Sequence, residues 1–195
     1  IILSNPFIKK QLDFIVNTTV KTDIYEIDSI RYGLEIFYGE FIKFLVMFVI
    51  SLLLNKFLAF ILILTLLMLI RPLIGGSHTN TFMSCMIQSN ILFIAIYYLA
   101  YILPKINIYI HFFIILLSII IVRTYNPVNP LRKTVNTQYK NLKFKDIVSV
   151  TLIVWYIIST LLLSTYYVNC GLLIIIYIIL DFFKEAYKNE KKITI

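Results

Sequence analysis

Phe57-Leu58-Ala59-Phe60-Ile61-Leu62-Ile63-Leu64-Thr65-Leu66-Leu67-Met68-Leu69-Ile70 is an apolar run interrupted only by one threonine. It leads directly into Arg71-Pro72-Leu73-Ile74-Gly75-Gly76-Ser77-His78-Thr79-Asn80-Thr81-Phe82-Met83-Ser84-Cys85, after which a second apolar run begins at Met86. The first run has no polar face, so it reads as a span of lipid rather than one side of a soluble core. The insert holds one of only two histidines and one of only two cysteines. Irregular polar backbone beside a bilayer persists only where protein or water satisfies it.

Composition extends that reading to the whole chain. Of 195 residues, 60% are hydrophobic and only 14% are charged, against about 25% charged in an ordinary soluble domain. The expected fold is an all-α integral membrane protein, a single domain over 1–195. Amphipathic, interfacial N-terminal helices occupy 1–35, about six transmembrane helices fill 36–183, and a charged tail covers 184–195. The first 40 residues carry charges throughout and no apolar h-region, so no cleavable signal is expected. Residues 1–20 suit a helix lying in the headgroups, with Asn5 as its cap and Lys9, Lys10 and Asp13 on its polar face. Asp23 and Glu26 resemble a capping box for a second helix that leads through Tyr32-Gly33-Leu34-Glu35 into the membrane.

The spans are expected at 41–54, with its helix starting near Ile36, and at 57–70, 86–103, 108–122, 147–167 and 172–183. Turns are expected at Asn55-Lys56, Pro104–Asn107 and Val168–Gly171. Pro72 should end the second span, and 123–146 should form a long polar loop. With the N-terminus inside, sixteen basic residues fall on the cytoplasmic side and only Lys56 and Lys105 outside. That asymmetry expects a multi-pass protein of the cell membrane with both termini and the His78/Cys85 insert in the cytoplasm. It also accounts for the net charge of +8 without a nucleic-acid partner.

Cys85 and His78 are the parts of a thiol nucleophile and its base. An imidazole close by favours the thiolate, which is the reactive form. On one unbroken helix, seven residues separate them by roughly 10.5 Å, so a working dyad needs a bend or a loop folded back between them. Gly75 and Gly76 supply the backbone freedom for such a loop, and their amides could support an oxyanion. Two ligands fall short of the four of structural zinc, so neither metal nor cofactor is expected. Cys85 also reads as a small buried hydrophobe.

Glu35 and Asp181 each suit either a third, orienting member of the dyad or a local role such as Asp181 pairing with Lys184. Arg71 suits either a substrate carboxylate or a headgroup anchor. His111 reads as interfacial, Trp155 as packing, and Cys170 as lying outside, far from Cys85.

Tyr32-Gly33-Leu34-Glu35, Arg71 with Gly75-Gly76-Ser77-His78, and Cys85 seven residues further on resemble the motifs of the accessory gene regulator B (AgrB) membrane peptidases. Thr79 stands where that family often carries alanine, and Asn126–Pro130 only loosely resembles its proline-bearing segment. The resemblance implies a membrane cysteine endopeptidase whose catalytic residues are His78 and Cys85. It implies a short AgrD-like precursor peptide as partner, cleaved through an acyl-enzyme and cyclised to a thiolactone or lactone signal for quorum sensing. A homodimer in the lipid bilayer is also implied. On the chain's own charges, Arg132, Lys133 and Lys140 would attract an acidic tail of the precursor. The competing function is a small polytopic transporter or peptide exporter without proteolytic activity. Against it, no span carries a central acid or base beyond His111, whereas ion paths are usually marked by such groups.

Overall fold

The computed structural model describes residues 24–76, 82–126, 137–162 and 164–193. The interfacial helix expected over 1–20 lies outside them. Six helices are described: α1 (Ile24–Leu53), α2 (Phe57–Ile74), α3 (Phe82–Ile102), α4 (Ile108–Thr124), α5 (Thr137–Leu162) and α6 (Thr165–Ile193). The fold is all-helical, as its sequence implies. Four helices contain stretches long and apolar enough to cross a membrane: Phe57–Ile74, Ser84–Ile102, Leu142–Leu161 and Thr165–Lys188. Ile108–Thr124 is a shorter apolar helix of 17 residues.

The chain divides into two compact units, residues 1–50 and 51–195. In the first, α1 runs without a break through Glu35 and Ile36. Glu40 and Lys43 form an ion pair one turn apart. Phe37 stacks on Phe41, and Phe44 on Phe48, each pair four residues apart. Phe37, Phe41, Leu45 and Val49 form an exposed row along one face, as a lipid-facing helix requires.

The second unit is organised around α6, which packs against α2, α3, α4 and α5. Half of its apolar stretch is buried, against a third or less of the other long spans. From α2, Phe60, Ile63, Ile70 and Ile74 turn inward at helical spacing, and Ile174, Ile175, Ile178 and Phe182 of α6, which packs against it, are buried as well. Outward-facing Leu58, Met68, Leu69, Phe113 and Val154 remain exposed. That inside-out pattern suits a solvent of lipid tails, where association rests on packing and hydrogen bonds rather than on water exclusion.

Contacts fix the helix directions. Lys56 lies over the Tyr166 ring at 4.5 Å, while Arg71 pairs with Asp181, so α2 and α6 run parallel. Asn169 donates to carbonyls at the end of α3, so α3 and α6 are antiparallel. Arg123 pairs with Asp146 at 3.0 Å, and His111 packs edge-on against Tyr156, which makes α4 and α5 antiparallel. The unit therefore has a Lys56 end and an Arg71 end.

Two expected turns are present. Asn55 sits at φ 53°, a left-handed position that Asn tolerates, and Asn107 caps α4 by accepting from the Tyr109 amide. Others are corrected. Pro72 lies inside α2, which continues to Ile74. Proline lacks an N–H, but the residues after it still complete the last turn before Gly75 stops it. Val168–Gly171 is helical; α5 runs to Leu162 and α6 is already under way from Thr165, so the chain reverses earlier than expected. Gly171 is no turn residue: a Cβ there would overlap the Trp155 indole, so glycine allows α5 and α6 to approach. The expected loop at 123–146 is shorter, since α5 begins at Thr137. The tail from Lys184 is helical to Ile193. His111, one turn into α4, is buried against Tyr156 of α5. Trp155 is buried in the core, as expected.

Gly171→Ala should lower unfolding stability in detergent by about 1–3 kcal/mol, the usual cost of overpacking. Pairing it with Trp155→Leu should recover part of the loss, read as the shift in an SDS unfolding titration.

Candidate active site

Three helices bring polar groups together at the Arg71 end. Arg71 lies in the last turn of α2. Gly75 closes that helix: its N–H donates to the Arg71 carbonyl at 2.9 Å, and its φ of 84° with ψ of −162° is a conformation that glycine alone adopts readily. Gly76 follows, buried. A Cβ on Gly76 would stand 2.6 Å from Asp181 Oδ2 and 3.5 Å from Arg71 Nε. Asp181, on α6, reaches Arg71 Nη2 at 3.5 Å, with its own side chain only 12% exposed.

Tyr177 lies one helical turn before Asp181, on the same face of α6. It lies within hydrogen-bonding range of Arg71 and within electrostatic range of both Asp181 and Cys85. Cys85, half-buried and outside any disulfide, lies in the first turn of α3. Arg71, Gly76 and Asp181 thus form one cluster between α2 and α6, with Tyr177 beside it and Cys85 of α3 within electrostatic range of Tyr177.

Of the residues singled out by sequence, Gly75, Gly76 and Arg71 meet there, with Cys85 within electrostatic range of Tyr177. His78, Arg132 and Lys133 lie outside the described residues. Glu35 lies on α1 and Lys140 on α5, and the side chains of both are likewise outside the described set. Asp181 is drawn across to Arg71 rather than standing only beside Lys184. Tyr177 escapes a reading of the sequence, because a tyrosine in an isoleucine-rich span looks like packing. Its one sequence signal is the four-residue spacing to Asp181, which puts both on one face.

Cys170 is a different kind of thiol. It is fully buried and adjacent to Asn169, which contacts Ala100, Leu103 and Pro104. Cys85 sits at the opposite end of α3, so the two thiols are separated by on the order of 20 Å of helix. Among the described residues, no group of three or more His, Cys, Asp or Glu could hold a metal ion.

The basic residues around the end of α4 have structural roles. Lys145 is 8% exposed and donates to the Arg123 carbonyl at 2.9 Å and to Asn126 Oδ1 at 3.4 Å. A cation at a helix C-terminus satisfies its last carbonyls and complements its dipole. The exposed Arg123–Asp146 pair beside it adds little by itself.

A family model described as accessory gene regulator B matches residues 8–183. The chain belongs to the accessory gene regulator B family. A relative described as a putative AgrB-like protein, from Clostridium beijerinckii, is 32% identical over 93 residues. That alignment covers 47% of this chain and 47% of the relative, so the match spans about half of the relative's length. No solved structure matches. Membership, with four long apolar helices, makes the chain a multi-pass membrane protein. The family's description places it in the accessory gene regulator system.

The two thiols should differ in reactivity. In folded protein, a small maleimide should modify Cys85 and leave Cys170 untouched until denaturant is added, with mass spectrometry of the digested protein locating the label.

Proposed function

We propose that this chain is a membrane cysteine endopeptidase that cleaves an AgrD-like precursor and hands the acyl group on to close a ring. The observation that carries this is a half-buried Cys85 at a helix start, within electrostatic range of a polar cluster, in a chain matched to the family over residues 8–183.

Cys85 Sγ attacks the precursor carbonyl as His78 accepts the thiol proton. The tetrahedral adduct collapses with loss of the C–N bond, and the imidazolium returns the proton to the leaving amine. This leaves a thioester on Cys85. A thiol or hydroxyl within the retained segment then attacks that thioester, giving the thiolactone or lactone and restoring the Cys85 thiol. A site at the lipid boundary keeps water scarce, which protects the thioester from hydrolysis. The Gly75 and Gly76 amides support the oxyanion, and either Glu35 or Asp181 serves as an orienting carboxylate.

The Arg71 end faces the cytoplasm in this proposal. Arg71, Arg123, Lys143, Lys145, Lys184 and Lys188 fall there among the described residues, against Lys56 and Lys105 at the other end. Reduced thiols are the rule in that compartment. Arg132, Lys133 and Lys140 draw in the precursor's acidic tail while its amphipathic part lies on the bilayer. The working form is a homodimer.

Cys85→Ala should abolish cleavage by purified protein in lipid, and His78→Ala should slow it by about 10²–10⁴-fold, the usual worth of general acid–base help. A precursor lacking its ring nucleophile should trap an acyl group on Cys85 that hydroxylamine removes. Full processing by Cys85→Ala would refute the enzyme. An acyl group found on another residue would refute this route while leaving a peptidase.

Changing Arg132, Lys133 and Lys140 together to Glu should raise KM with little change in kcat. The effect should shrink as salt shortens the Debye length below its ~8 Å at physiological strength. Unchanged KM across both tests would remove these residues from substrate capture.

A further inference from the structure

Arg71 and Asp181 are 110 residues apart in sequence and meet at one end of the helical bundle. Asp181 is the buried partner at 12% exposure and Arg71 the more open one at 37%, and pairing is the usual condition for ionisable groups near a bilayer. Asp181 also acts through shape. Gly75 needs glycine for its backbone angles, whereas Gly76 needs it for space. The obstacle to any larger side chain at 76 is the Asp181 carboxylate, with Oδ2 2.6 Å from an added Cβ. A carboxylate that pairs with Arg71 and lies flush against Gly76 fixes both the last turn of α2 and the chain leaving it. Tyr177, one turn earlier on α6, lies within range of the same guanidinium and within electrostatic range of Cys85.

From this geometry we infer that Asp181 is a positioning residue, seating the α2 terminus through Arg71 and Gly76 on α6, the helix that also packs against α3, which carries Cys85. Its value to catalysis rests on the peptidase reading above; its hold on Gly76 does not. The role concerns placement, so it acts on turnover more than on substrate affinity, and it couples residues 76 and 181 to each other.

The test uses the full chain in lipid nanodiscs, as wild type, Gly76→Ala, Asp181→Ser, their double variant and Asp181→Asn. Two readouts run in parallel: kcat and KM for an AgrD-like precursor, and the rate of Cys85 alkylation by N-ethylmaleimide, located by mass spectrometry. Gly76→Ala should lower kcat roughly tenfold or more in the wild-type background, as displacements near 1 Å can do. In the Asp181→Ser background the same change should cost about twofold or less, because the obstacle is gone. Alkylation should show the same background dependence. Asp181→Asn keeps the shape and loses the charge, so it should lower kcat with KM nearly unchanged; it also keeps the inference measurable if the serine variant does not fold.

An equal cost of Gly76→Ala in both backgrounds, or an Asp181→Asn effect confined to KM, overturns the inference. If wild type cleaves nothing while alkylation keeps the background dependence, the peptidase reading falls and the seating of Gly76 by Asp181 stands. If wild type cleaves and neither readout depends on the background, the seating falls and the peptidase stands.

Discussion

A helix that ends inside or at the edge of lipid leaves its last carbonyls without partners, and no tail solvent supplies them. This constraint shapes the five-helix unit. Asn169 reaches from α6 to the closing carbonyls of α3, and Lys145 reaches from α5 to the end of α4. Gly75 turns its own N–H back onto the Arg71 carbonyl, and Asp181 holds the side chain of that same residue. At each of these three ends a side chain from α5 or α6 reaches across. The two C-terminal helices therefore supply the polar closures as well as much of the apolar core. Buried hydroxyls need less: Ser118 and Ser149 return to carbonyls one turn back on their own helices.

The same arrangement explains how far the sequence can be read. Long apolar runs and turn residues are local signals, so α2, α4, the Asn55 turn and the Asn107 cap are legible from residue order alone. Val168–Gly171 misleads because asparagine and glycine together usually punctuate. Here each has a partner distant in sequence: Asn169 closes α3, and Gly171 admits the Trp155 ring. Pro72 misleads for a similar reason, since a proline near a helix end can be absorbed when the turn after it is closed by glycine. His111 sits one turn inside α4, and its burial follows from the Tyr156 ring of α5, which no periodicity in α4 reveals.

The candidate site divides along the same line. The chemistry-bearing residue Cys85 and the glycine pair stand out because they are scarce in a chain built from isoleucine, leucine and aromatic residues. Their setting does not. Asp181 has Lys184 within one turn as an obvious partner, yet it pairs across the bundle with Arg71. Tyr177 gains meaning only from that pair. Spacing along one chain can nominate a nucleophile; it cannot say which carboxylate from another helix will face it.

Two thiols in one membrane protein show what position does to identical chemistry. Cys170 sits inside the bundle beside the clamp that closes α3, fully buried, where a thiol packs as a small hydrophobe. Cys85 lies at the other end of α3, partly open, in a first turn within electrostatic range of Tyr177. A nucleophile needs access for its substrate and fixed neighbours for its transition state, and those demands pull toward the surface and the core respectively. The boundary of the bundle meets both, because α3 starts there while α6 continues behind it. For Cys85 as the proposed nucleophile, a helix start backed by the half-buried α6 combines an open approach with a packed neighbour.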